Sequence, residues 1–222
     1  MLLLAVDTSG RNGSMALARA SARGVEVIEE MALAGGSFSA HLVPQAAALL
    51  EKHGYAKRDL EGFAVASGPG SFTGLRVGLA AIKAMAEVLR QPIAAISLLE
   101  VVARSGPAEG RVFSALDAGR SELYAGDYEL GPPVRMLTER LLSREEFSAE
   151  NKSRVVVTPD STIAEFARGA GFRVEQVAHP SSGVIARFGW ERIQRGETIS
   201  PEALEANYIR RTDAEIFSKP KP

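Results

Sequence analysis

Two aspartates close two apolar runs. Asp7 ends the run at residues 2–6, and Asp117 ends the run at residues 111–116. Small turn residues follow each of them, Thr8, Ser9 and Gly10 in the first case and Ala118 and Gly119 in the second. A carboxylate at the end of a buried strand can hold a hydrated cation while the turn N–H groups and small hydroxyls beside it hold phosphate oxygens. It can equally cap its own turn, and the residues alone leave both readings open. A third candidate is the turn at residues 67–74, which packs Gly68, Pro69, Gly70 and Gly74 around Ser71. Such crowding calls for positive φ or for close approach to another part of the molecule. No Gly-Lys-Ser/Thr follows, so the turn is not a Walker A loop. Its GxGxxxG spacing, with no acid closing the strand at Ile96, is no dinucleotide fingerprint either.

Other chemistries find less support. The chain has no cysteine, which removes disulfides, thiolate metal sites and a cysteine nucleophile together. Its three histidines, His41, His53 and His179, contain no pair at i, i+3 or i+4 and read as surface or helix-end residues. There is no HExxH and no GxSxG elbow, Gly70-Ser71-Phe72 suggesting the latter only loosely. The net charge of −1 gives no general pull toward nucleic acid or an anionic membrane, although a local basic patch is compatible with it. With 45% hydrophobic and 24% charged residues, the 222-residue chain has the profile of a globular protein. The opening MLLLAVDTSG carries no basic n-region and its apolar run stops at Asp7, so it does not read as a signal peptide. A soluble, cytoplasmic protein that does not enter the membrane is expected.

The elements that must position these groups follow from patterning. Strands are predicted at 2–6, 15–19 and 25–31, a helix at 39–53 and a buried strand at 62–66. After the glycine turn come a helix at 75–89, a strand at 92–96 and a short helix capped by Ser97 and running to 103. The 75–89 helix confines Arg76, Lys83 and Glu87 to one narrow stripe, leaving an apolar arc wider than the roughly 100° of an ordinary surface helix. It is either interior or covered by another chain. Residues 104–110 read as a linker.

The order then begins again: strands at 111–116, 122–128 and 134–137, a helix at 143–149, a strand at 155–158 and a helix at 161–169. A strand at 172–177 and a long helix at 182–195 complete it. Both halves read βββαβαβα, a duplication in element order more than in letters. The expected organisation is a first lobe at 1–103, a smaller second lobe at 104–200, a partly helical segment packing back at 201–217 and a disordered tail at 218–222.

A duplicated α/β unit with an aspartate at each first strand resembles the actin-like, ribonuclease H-like superfamily of hexokinases and sugar kinases. Val6-Asp7-Thr8-Ser9, the segment SGPGSFTGLRVG from Ser67 to Gly78, Leu116-Asp117-Ala118 and Tyr208-Ile209-Arg210-Arg211 narrow this further. In that order they resemble the TsaB family of bacterial tRNA threonylcarbamoyladenosine biosynthesis proteins. The resemblance runs from Leu2 to about Phe217, and the glycine segment is its most specific part. Two positions depart from the family pattern: Phe38 stands where a histidine is usual, and Ala206 where a proline is usual.

The resemblance implies a required, non-catalytic partner of the paralogous transferase TsaD, which modifies adenosine 37 of ANN-decoding tRNAs. It also implies a TsaE-type ATPase as a third component, with tRNA met through the complex and ATP and metal bound by the partner proteins. TsaD carries a metal-binding His-x-x-x-His whose two positions align here with Leu98 and Val102. Neither side chain has a lone pair to give, so no cofactor and no catalytic residue are expected in this chain. By the same likeness Asp7, Thr8, Ser9, Gly68, Gly70, Ser71 and Asp117 line a vestigial nucleotide cleft, with weak or no ATP binding. The two helices at 39–53 and 75–89 are implied as the face that meets TsaD, or a second copy when TsaD is absent. Leu42, Gln45, Leu49, Arg76, Leu79, Ala80, Lys83 and Glu87 are the residues expected there. The competing expectations are a superfamily ATPase or small-molecule kinase, and a glycoprotease-like peptidase acting on its partner.

Overall fold

A computed structural model describes residues 1–33 and 38–210. Two compact units divide the chain. The first comprises Met1–Val101 and His179–Asn207, the second Val102–Ala178 together with residues 208–210.

In the first unit, β1 (Leu2–Asp7), β2 (Gly13–Ser21) and β3 (Gly24–Leu33) form an antiparallel meander. β4 (Gly62–Gly68) and β5 (Ile93–Ser97) then add in parallel on the other side of β1, giving the order β3-β2-β1-β4-β5. Helices α1 (Phe38–Lys52) and α2 (Phe72–Leu89) pack on the face that carries Leu2, Leu4, Val6, Phe63 and Val65. Phe38, one of the two departures from the family pattern, is part of this core, its ring against Gly13. The opposite face, with Leu3, Ala5 and Ala64, is covered by a helix from far along the chain, labelled α6 below. Double coverage is why β1 and β4 are apolar without alternation.

The second unit repeats the plan. β6 (Gly110–Gly119), β7 (Glu122–Leu130) and β8 (Arg135–Ser143) are antiparallel. β9 (Val155–Thr158) and β10 (Arg173–Gln176) continue in parallel, giving the order β8-β7-β6-β9-β10. Both sheets therefore have the same strand order and the same antiparallel-to-parallel switch, so the duplication is structural. Helices α4 (Arg144–Ala149) and α5 (Ser161–Gly169) serve this unit, with Phe113, Phe147, Val156, Ile163 and Phe172 in its core. Between the two sheets in sequence lies α3 (Leu98–Arg104).

Four differences from the sequence expectations have physical reasons. First, α6 (Ser182–Gln194), expected with the second lobe, packs on the first sheet. Small residues meet there: a methyl added at Gly189 would sit 2.4 Å from the Ala64 Cβ. Glu30 of β3 accepts the Ser182 and Gly183 N–H groups at 3.1 and 3.2 Å and the Ser181 hydroxyl at 3.0 Å, so one carboxylate satisfies the open N-terminus of α6. Second, α2 begins at Phe72 rather than Leu75, because Ser71 caps it by accepting the Gly74 N–H at 3.3 Å. Third, β8 runs to Ser143, well past the expected end at Leu137, carried by its hairpin pairing with β7. Fourth, residues 202–210 are turn and irregular chain, not helix, while the rest of that expected helical segment and the tail lie outside the described residues. No helix among the described residues is long and apolar enough to cross a membrane.

Candidate functional site

The glycine turn and the first-strand turn are one packed structure. Thr8 is buried, and its hydroxyl donates to the Gly74 carbonyl at 2.7 Å. The Ser71 N–H donates to the Ser9 carbonyl at 2.6 Å. A methyl added at Gly70 would lie 2.5 Å from the Ser9 carbonyl oxygen, and one at Gly74 only 2.0 Å from that of Thr8. At Gly78, one turn further along α2, it would lie 2.2 Å from the Thr8 hydroxyl oxygen. Gly68 has φ of +121°, which only glycine adopts without strain. Both readings of the glycine crowding, positive φ and close approach, are therefore realised. The neighbour approached is the chain itself.

The structure thus brings Asp7, Thr8, Ser9, Gly70 and Ser71 together, with Gly68 at the end of β4. Asp7 accepts the Ser9 N–H at 2.8 Å, an Asx turn. Burial pushes its carboxyl above the usual range, and the hydrogen bonds to Ser9 only partly offset this. Asp117 belongs to the second unit. It is exposed, accepts the Gly119 N–H at 2.9 Å and donates its own N–H to Asp160 at 3.1 Å. The turn-capping reading is met at both aspartates. The Thr8 hydroxyl and the Ser71 N–H, two donors that a phosphate cradle would use, are engaged inside the protein.

Leu98 and Val102 lie at i and i+4 on α3, both buried. Neither side chain has a lone pair to offer, so these two residues cannot ligate a metal. Among the described residues no group of three His, Cys, Asp or Glu side chains could hold a metal ion. His41 and His179 are exposed, and His53 lies 2.7 Å from Glu29 at the end of α1.

The α1–α2 face needs correction residue by residue. Leu42, Leu49 and Leu79, expected on the outer seam, are buried in the core of their own unit. Arg76, Ala80 and Glu87 are exposed, whereas Gln45 and Lys83 are half-buried. Lys83 donates to the Glu202 carbonyl at 3.3 Å, and the Arg76 guanidinium lies 3.7 Å from the centre of the Phe72 ring. Sequence reasoning missed the exposed Val43, Phe72, Ala84 and Val88, the last of them 80% exposed. A groove of about 560 Å³ opens between the helices, with Val43, Phe72, Val77 and Ala80 along it. A signal was present: at 100° per residue, positions 77, 80, 84 and 88 fall on the side opposite 75, 79, 82 and 86. The helix is at the surface and has two apolar faces, one of them covered within the monomer.

A duplicated α/β unit with paired first-strand aspartates defines an actin-like, ribonuclease H-like protein. The chain belongs to the TsaD family, described as tRNA N6-adenosine threonylcarbamoyltransferase, whose sequence model matches residues 28–148. Within it, the chain is similar to proteins named "tRNA threonylcarbamoyladenosine biosynthesis protein TsaB". The Bacillus subtilis protein is 35% identical over 130 residues, which are 58% of this chain and 56% of that one. The Escherichia coli protein is 28% identical over 132 residues, 58% of this chain and 55% of that one. The chain thus spans little more than half the length of these relatives. Among solved structures it is similar to one titled "YeaZ from Pseudomonas aeruginosa", with TM-score 0.72 and 25% identity over 93% of this chain and 100% of the other.

Proposed function

We propose that this chain works in the threonylcarbamoylation of adenosine 37 of ANN-decoding tRNAs as a non-catalytic docking partner of a TsaD-type transferase. The observation that carries this reading is the pair Leu98 and Val102, buried one helical turn apart on α3, where the family resemblance leads one to expect the transferase's two metal-binding histidines. A chain that keeps the architecture and lacks the imidazoles contributes surface rather than reaction chemistry.

The surface it contributes is the outer face of α1 and α2. Support comes from the exposed apolar stripe of Val43, Phe72, Ala80, Ala84 and Val88, bordered by Arg76 and Glu87. Small residues at Ala80 and Ala84 let a partner helix approach closely, while the charges set specificity. In the absence of the transferase a second copy covers the same face, a substitution open to paralogues of one fold. A TsaE-type ATPase completes the cytoplasmic assembly, and ATP and metal reside on the partners. Binding of ATP by the chain alone is weak or absent, since the turn donors around Thr8 and Ser71 are engaged within the protein.

Reconstitution of the tRNA modification from purified components, with and without this chain, tests the proposal. Modification that stalls without the chain, and resumes on adding it, is expected. Complete modification without it overturns the partner role. Nucleotide turnover by the chain alone overturns the non-catalytic reading in favour of a superfamily ATPase, and chelator-sensitive cleavage of the transferase does so in favour of a peptidase.

A further inference from the structure

A charged network closes the amino end of the second unit's parallel strands. Arg111 of β6 donates through Nε and Nη2 to the two oxygens of Asp127 at 3.0 and 2.7 Å. Arg154 donates to Asp127 at 2.7 Å and to Glu150 at 2.5 Å, and Arg140 of β8 takes the other oxygen of Glu150. Asp127 and Arg154 are both buried, so three guanidiniums and two carboxylates are assembled around a partly desolvated centre. Among these five groups the positive charges outnumber the negative by one, and Glu129 opposite Arg111 adds a further carboxylate nearby.

The network also has surplus donors. Every oxygen of both carboxylates already accepts from an arginine, whereas Arg140 Nε is buried and has no acceptor. A buried N–H without an acceptor loses its hydration and gains nothing in return, so it favours a ligand that supplies one. An open pocket of about 310 Å³ lies against these groups, with Thr138 and Asn151 on its wall. The Asn151 side-chain oxygen already accepts the Ser153 N–H at 2.9 Å, which turns its amide nitrogen to other uses. Guanidinium, amide and hydroxyl donors thus converge from β6, β8 and the loop before β9, a non-planar set suited to a tetrahedral oxyanion more than to a flat carboxylate. The pocket is at the opposite end of β6 from Asp117, roughly 20 Å away at strand rise, and so is separate from the turn at Asp117.

We propose that this pocket binds a small phosphate-class oxyanion, free phosphate or a phosphomonoester, held by Arg111, Arg140 and Asn151. The acids serve to hold the arginines in place. Inorganic phosphate titrated at constant ionic strength, against chloride as control, is the direct test, read by thermal midpoint and by phosphorus NMR line width. A saturable rise in midpoint is expected for the full chain. Arg140→Gln should weaken binding about tenfold or more, as loss of charged hydrogen bonds does. Arg140→Lys keeps the charge, loses Nε and should fall between the two, which guards against misreading a folding defect in the first variant. Asp117→Asn should bind as the parent does. No saturable effect, or equal phosphate binding in Arg140→Gln, overturns the site. Displacement of bound phosphate by stoichiometric tRNA overturns the small-molecule assignment and makes the ligand a nucleic-acid phosphate.

Discussion

Gly74→Ala separates the two roles a glycine-rich turn can play. The added methyl would stand 2.0 Å from the Thr8 carbonyl oxygen, where a carbon–oxygen contact needs about 3.3 Å. Backbone, not a flexible side-chain tip, is in the way, so the first-strand turn must retreat by about 1.3 Å. Overpacking of this kind costs about 1–3 kcal/mol. The retreat also breaks the buried bond from the Thr8 hydroxyl to the Gly74 carbonyl, adding about 1–2 kcal/mol. Together these amount to roughly 2–5 kcal/mol, or a fall in thermal midpoint of roughly 5–15 °C for a chain of this size. Thermal denaturation followed by circular dichroism reads it, with Gly169→Ala as control. Gly169 ends α5 with nothing within 4 Å of an added methyl, and alanine there should gain up to about 1 kcal/mol. A Gly74→Ala variant that melts with the parent and loses a measurable ATP affinity would instead show the turn to be an open phosphate cradle.

Three further perturbations follow from named contacts. Glu30→Ala removes the acceptor for Ser182, Gly183 and Ser181 and should cost about 1–3 kcal/mol, with hydrogen exchange accelerating at the first amides of α6 while β7 is unaffected. Burial alone would raise the Asp127 carboxyl, but hydrogen bonds and charge from Arg111 and Arg154 outweigh it and leave it below the ordinary 3.8. Its contribution is therefore full above that unfolded-state value and is lost as pH falls through the lower folded one, so Asp127→Asn should show a shallower acid limb in a pH-dependent melt. Asp7 has the opposite sign: burial raises its folded value, so ionisation at neutral pH opposes folding. Asp7→Asn should melt higher than the parent at pH 7, and the difference should shrink as pH falls through that raised value.

Element order was legible because each strand and helix is locally consistent. The run at residues 2–6 is apolar throughout and is a strand covered on both faces, and the duplicated plan appears as two sheets of identical strand order. Long-range assignment was not legible to the same degree. Nothing local to residues 182–194 says which sheet the helix joins; Gly189 against Ala64 and Ser182 against Ser14 decide it across more than a hundred residues. The width of the α2 apolar arc was readable, but its division was not made correctly: Leu79 was expected outward and is core, while Val88 is outward. Helical phase alone separates the two. The Arg111–Asp127–Arg154–Glu150–Arg140 network escaped notice because its members lie on three strands and a loop, at spacings with no motif.

The outer face of α1 and α2 as a docking surface is the centre of the functional account. Ala80→Arg places a long cation on the exposed stripe between Arg76 and Ala84, outside the core of the unit. Co-purification of the tagged variant with a TsaD-type transferase, alongside its thermal midpoint, is the most direct measurement. The complex should be lost while the midpoint stays within about 1 °C of the parent, as exposed substitutions usually allow. An intact complex carrying the arginine contradicts the docking assignment.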